Sequence, residues 1–194
     1  MPTRRPSEPE ARLPGGFRIA REVPIGRHPL LAVFPGLVGL EAAKRLEPDP
    51  ATRKRLFEET CLQIVEDDVW MYVAPHTLPK GLRRRWKPHV SPGSDCIVVG
   101  ASHLKESPPL ILFLDIFHEL CHIRQRKAGQ ELFDRSESYV RRPTEIEAYR
   151  FAVEEARRLG VSDAVLRDYL RVEWVTEDEL LELYRAVGVS PAPA

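Results

Sequence analysis

Phe117-His118-Glu119-Leu120-Cys121-His122-Ile123 carries the pattern H-E-x-x-H. On an α-helix, residues four apart lie one above the other. His118 and His122 would therefore aim two imidazole nitrogens at one ion. Glu119, one position round the helix, would stand beside that ion, within reach of a water there but turned away from the ion itself. Two neutral ligands, an open coordination position and a neighbouring carboxylate base form the arrangement a zinc hydrolase needs. His118 and His122 are thus the expected metal ligands, Zn2+ the expected ion and Glu119 the expected catalytic base.

The pattern means this only on a helix, and its flanks supply one. Ser107-Pro108-Pro109 reads as a helix start, with Ser107 as N-cap and proline at the first helical positions. Leu110-Ile111-Leu112-Phe113-Leu114-Asp115-Ile116-Phe117 follows without a breaker and is apolar on nearly all sides, so it is expected to run through the core. Arg124, Gln125, Arg126 and Lys127 then precede Gly129; cations suit a helix C-terminus and glycine ends it.

Two imidazoles leave a zinc site one protein ligand short. A second helix is expected from Pro143-Thr144-Glu145-Ile146-Glu147-Ala148 to about Leu159, stopped by Gly160. It offers Glu145 and Glu147, which diverge on a helix, so only one can face the ion. Thr144 and Glu147 have capping-box spacing. That occupies Glu147 at the helix start and favours Glu145 as the third ligand.

H-E-x-x-H followed after a short gap by E-x-x-A on a second helix resembles the gluzincin metallopeptidases. The likeness is greatest to the small ImmA/IrrE-type proteins, whose pattern continues E-x-x-A-N-x-F-A. Here the stretch reads Glu145-Ile146-Glu147-Ala148-Tyr149-Arg150-Phe151-Ala152, and the match covers residues 95–159. The resemblance implies a zincin-like minimal metallopeptidase domain of α+β class, with a small sheet, an active-site helix, a following ligand helix and further C-terminal helices. It also implies Glu145 as metal ligand and a peptide or protein as substrate. The chain departs from the pattern at Tyr149, where the family has Asn, or Asp in relatives, to brace the site through hydrogen bonds. Tyr139, Tyr149 and His103 are candidate donors to a developing oxyanion. Asp115, three residues before His118, is a candidate acceptor for a ligand imidazole.

The remaining chain divides into a tail over residues 1–16, the metallopeptidase domain over 17–160, a helical extension over 161–189 packed on it, and a second tail over 190–194. Within the domain a weak strand pattern covers 17–25 and a short helix is possible over 37–46. Asp49-Pro50 opens a helix whose apolar residues include Leu56, Cys61, Ile64 and Val65, ending at Asp67-Asp68. Val69-Trp70-Met71-Tyr72-Val73 reads as a strand, 75–94 as loop, and 95–100 as a second strand. If that second strand were a sheet edge, it could pair with an extended peptide. Ser162 and Thr176 start two last helices, the second with a capping box through Glu179 and ended by Gly188; Trp174 is expected to pack between them.

Composition narrows the function classes. The chain has 194 residues, enough for one sizeable core, and 30% charged residues with zero formal net charge. No general attraction to nucleic acid or membrane follows from that balance. The apolar runs, Leu110 to Leu114 among them, are far too short to span a bilayer. The start lacks the apolar stretch of a signal peptide, so a cytoplasmic protein is expected. Cys61, Cys96 and Cys121 are odd in number and far apart in sequence, which argues against a disulfide framework. Asparagine is absent and proline abundant, as in a thermophile or a GC-rich genome. Arg83-Arg84-Arg85-Trp86-Lys87 keeps a rival reading in view. A basic run beside an aromatic could grip a nucleic-acid backbone, in a non-catalytic zincin-like regulatory or binding protein.

Overall fold

The computed structural model describes residues 25–29, 46–47, 49–65, 89–90, 94–134, 136–172 and 174–192. The tail over 1–16, the possible helix over 37–46 apart from Leu46, the strand expected at 69–73 and the basic run at 83–87 lie outside them. Among the described residues the chain is α+β, with one small sheet and helices packed against it.

Four strands form the sheet: β1 (Gly26–Pro29), β2 (Cys61–Val65), β3 (His89–Val90) and β4 (Cys96–Gly100), in the order β1-β2-β4-β3. β1 runs antiparallel to β2, β2 parallel to β4, and β3 antiparallel to β4. β2 alternates, burying Leu62 and Ile64. β4 is buried along its whole length, the pattern of a central strand with both faces covered.

Three expectations change here. Helix α1 (Pro50–Glu58) does start at Asp49, whose carboxylate accepts from the Thr52 N–H at 2.7 Å, but it stops at Glu58. Cys61, Ile64 and Val65 belong to β2, because the five residues from Cys61 alternate with period two and pair along β4. β3 lies inside the stretch read as loop. β4 is an inner strand of the described sheet, so it offers no free edge to a peptide; among the described strands the edge beside it is β3.

Cys61 and Cys96 are joined by a disulfide, against the expectation from their separation of 35 residues. The parallel register makes them direct partners with Cα atoms 4.6 Å apart, a distance at which two half-cystines fit. Sequence distance is a poor guide here, since parallel pairing always joins residues remote in the chain.

A short helix α2 (Ala101–Glu106) fills the connection after β4, and α3 (Pro109–Lys127) follows. Ser107 ends α2 rather than capping α3: its hydroxyl lies 3.1 Å from His103 Nδ1, and Pro108 takes the N-cap position. Every residue of α3 from Leu112 to Ile123 is buried, as expected for a helix apolar on all sides. Gly129, at φ 81°, ends it in the left-handed region that only glycine adopts freely.

A 3-10 turn (Tyr139–Arg141) leads into α4 (Pro143–Arg158), which lies along α3, and α5 (Asp163–Leu170) and α6 (Glu177–Val187) pack against α4. The capping box of α6 is complete: Glu179 N–H donates to Thr176 Oγ1 at 3.3 Å and Thr176 N–H to Glu179 Oε2 at 2.9 Å. The box expected at Thr144 and Glu147 does not form; Arg142 is the N-cap of α4 and Glu147 is engaged elsewhere. Trp174 is 56% exposed, its ring edge-on to Tyr139 rather than between α5 and α6. Ser190, read as tail, is held by Asp163, which accepts from its N–H at 2.9 Å.

Candidate metal centre

α3 and α4 meet so that His118, His122 and Glu145 point at one spot. His118 Nε2 and His122 Nε2 are 3.0 Å apart, and Glu145 Oε2 is 3.4 Å from each. Ligand atoms about 2.05 Å from one tetrahedral zinc ion stand roughly 3.3 Å from each other. The separations therefore match a set of three ligands around a single ion. Without an ion, one ring must donate through Nε2 to the other, and Glu145 Oε2 is buried without a hydrogen bond. Such a focus of two ring nitrogens and a carboxylate oxygen is costly unless a proton or a metal cation occupies it.

All of it is enclosed. His118, His122, Glu119 and Glu145 are between 5% and 9% exposed. Burial and the facing His122 hold His118 below its ordinary value, outweighing Glu145. Burial also opposes a charged His122, but the carboxylates of Glu145 and Glu119 prevail and raise it to about 9. Without metal, His122 is thus the ring that carries the charge and His118 the neutral one. Glu145 is held well below the usual carboxylate range, its burial offset by the two imidazoles. Glu119 lies at the margin, with Oε1 4.0 Å from His118 Nε2. Burial pushes it up to about 8, against the pull of His122 and a backbone hydrogen bond from Val90 in β3. A carboxyl poised near neutrality beside three ligands is the kind of group that exchanges protons at working pH.

The surroundings of the two imidazoles differ. His122 Nδ1 is 2.7 Å from Gln125 Oε1. Gln125 in turn donates through its amide nitrogen to the Thr144 carbonyl at 2.9 Å and to Glu147 Oε2 at 2.8 Å. Glu147 also takes Arg124 at 2.7 Å. His118 Nδ1 is buried with no partner. Tyr149, where the resembling family has a bracing amide, lays its ring 4.3 Å from that of His118 and spends its hydroxyl on Tyr139 at 2.8 Å.

Asp115 does not reach a ligand imidazole; it pairs with His103 Nε2 at 2.8 Å. That occupies His103 as well, leaving it no role as an oxyanion donor. Tyr139 and Tyr149 remain near the site, one bonded to the other. Glu147, weighed as a ligand, stands behind the ligands. Gln125 was missed, although its spacing of three from His122 puts both on one helix face. Cys121 is buried and free, its thiol pushed up to about 12 by burial.

No protein-family model matches the chain, and no curated protein or solved structure matches it either. What fold and site define is an α+β protein with a His2Glu group that could hold a metal ion. None of the described helices is long and apolar enough to cross a membrane.

Proposed function

We propose that the chain is a zinc-dependent metallopeptidase that hydrolyses peptide bonds with Glu119 as general base. The single observation that carries this reading is the placement of Glu119: a buried carboxyl at the rim of a three-ligand focus it does not join, with Oε1 4.0 Å from His118 Nε2. A purely structural site has no use for such a group. His118, His122 and Glu145 hold the ion; when bound, zinc supplies Lewis acidity, activating water near neutral pH and polarising a carbonyl. Glu119 accepts the proton of the attacking water at a carboxylate oxygen and later returns it to the leaving amine. Burial keeps competing water away from both steps. Exchanging Glu119→Gln is expected to retain one zinc per chain and to lower cleavage by at least about 100-fold. Metal content by mass spectrometry and hydrolysis of an unfolded protein library check it; retained cleavage rejects Glu119 as the base.

The enclosure of the four residues favours a second reading, a metal that fastens α3 to α4 in a non-catalytic regulatory protein. In that case the library stays intact, with or without a chelator, while zinc removal lowers the melting temperature. Nucleic-acid binding rests on residues 83–87, and steep salt dependence would mark it.

A further inference from the structure

The geometry points to Gln125 and Glu147 as positioning residues that fix which nitrogen of His122 is offered to the metal. This rests on the proposed metal centre and adds to it the device that orients one ligand. A neutral imidazole carries its proton on either nitrogen, and only the bare one can ligate. The partner of the far nitrogen decides between them. Gln125 alone could not decide, because its amide can turn either an oxygen or an NH2 toward His122. Two acceptors remove that freedom. The Thr144 carbonyl at 2.9 Å and Glu147 Oε2 at 2.8 Å both require the NH2 group. Oε1 is therefore the atom left for His122, 2.7 Å from Nδ1. Nδ1 must donate, so in the neutral ring that can ligate, Nε2 is the bare nitrogen, facing His118 Nε2 and Glu145 Oε2.

The chain of constraint ends on charge. Arg124 pairs with Glu147 Oε1 at 2.7 Å, which leaves Oε2 turned to the Gln125 amide as an acceptor. Gln125 is 1% exposed, so water cannot replace either of its partners. Thr144, Glu145 and Glu147 all lie within the first five residues of α4. One helix start thus supplies a ligand directly and sets the second ligand at one remove. His118 has no such partner on Nδ1 and is held by the Tyr149 ring instead. The two histidines are therefore expected to respond differently to substitution around them.

The test uses the full chain and Zn2+ alone, in competition with a chromophoric chelator. Gln125→Met keeps volume but removes both amide functions, and is expected to weaken zinc binding about 10- to 100-fold. Gln125→Glu with Glu147→Gln moves the negative charge next to His122 and restores the acceptor for Nδ1–H; with the Thr144 carbonyl left without its donor, it is expected to regain only part of the loss. Thr176→Ala, which weakens α6 without touching the site, is expected to bind as the wild type does. Imidazole nitrogen resonances supply a readout independent of affinity. In metal-free wild type, His122 should show a slowly exchanging Nδ1–H that is absent in Gln125→Met, which serves even if that variant is destabilised. Zinc binding of Gln125→Met within about twofold of wild type overturns the assignment. So does a loaded protein in which His122 is protonated on Nε2. Wild type that takes up no zinc while keeping the protected Nδ1–H rejects the metal centre itself, so the two failures are told apart.

Discussion

At the scale of single residues, the proton balance of the site sets an expectation for pH. Unfolded histidine titrates near 6.5 and unfolded glutamate near 4.5, whereas folded His122 titrates at about 9 and folded Glu119 at about 8. A raised histidine stabilises the fold below its unfolded value and loses that contribution as pH climbs through the folded one. A raised carboxyl keeps its proton after the unfolded chain has given it up, so it too favours unfolding as pH rises. His118 and Glu145 are shifted the other way, and their contributions change only below pH 6.5. The melting temperature in chelator should therefore fall between pH 6.5 and 9. With saturating zinc, binding that requires a deprotonated His122 strengthens over the same range, and the fall should shrink or reverse. Parallel curves with and without metal would contradict the assignment. Much of this scale was legible in the chain. His118, Glu119 and His122 were marked by spacing alone, because a helix fixes where residues four apart must point. Glu145 was favoured over Glu147 for a reason that fails, the capping box, since Arg124 and Gln125 bind Glu147 instead. Those partners come from α3, and a contact between two helices has no signature within either.

At the scale of elements, stop signals were read more securely than partners. Gly129 and Gly160, at φ 81° and 83°, end the two site helices where expected. α2 and β3 were not foreseen: one is six residues long and the other two, too short to establish a period. β2 was merged into α1 because a short apolar run fits either period until its hydrogen-bond partner is known. The α6 cap gives a direct check. Thr176→Ala removes the acceptor of the Glu179 N–H and should cost about 1 kcal/mol. For a chain of this length that is a melting temperature roughly 2–4 °C lower, read by circular dichroism. A change under about half a degree would mean that packing, not the cap, holds that end.

For the whole molecule, the disulfide is the largest departure from expectation. Cys61–Cys96 closes a loop across 35 residues and ties the two central strands together. In the chain-entropy account such a closure is worth up to about 4 kcal/mol. Reduction with a phosphine should lower the melting temperature by roughly 10 °C while leaving zinc content unchanged, because neither sulfur lies in the site. An equal melting temperature would show that the oxidised link adds nothing to sheet packing. In a reducing compartment the dithiol form would prevail, and the fold would have to persist without that contribution.

The stretch between α3 and α4 is exposed at 133–134 and 136–138, and α3 and α4 pack along each other directly. Loops of that kind tolerate added residues at little thermodynamic cost, about 0.6 kcal/mol per doubling. The interval from His122 to Glu145 is therefore the most elastic dimension of this centre. Kindred sequences are better sought by a rigid pair of helical words joined by an arbitrary gap than by any fixed spelling of the whole.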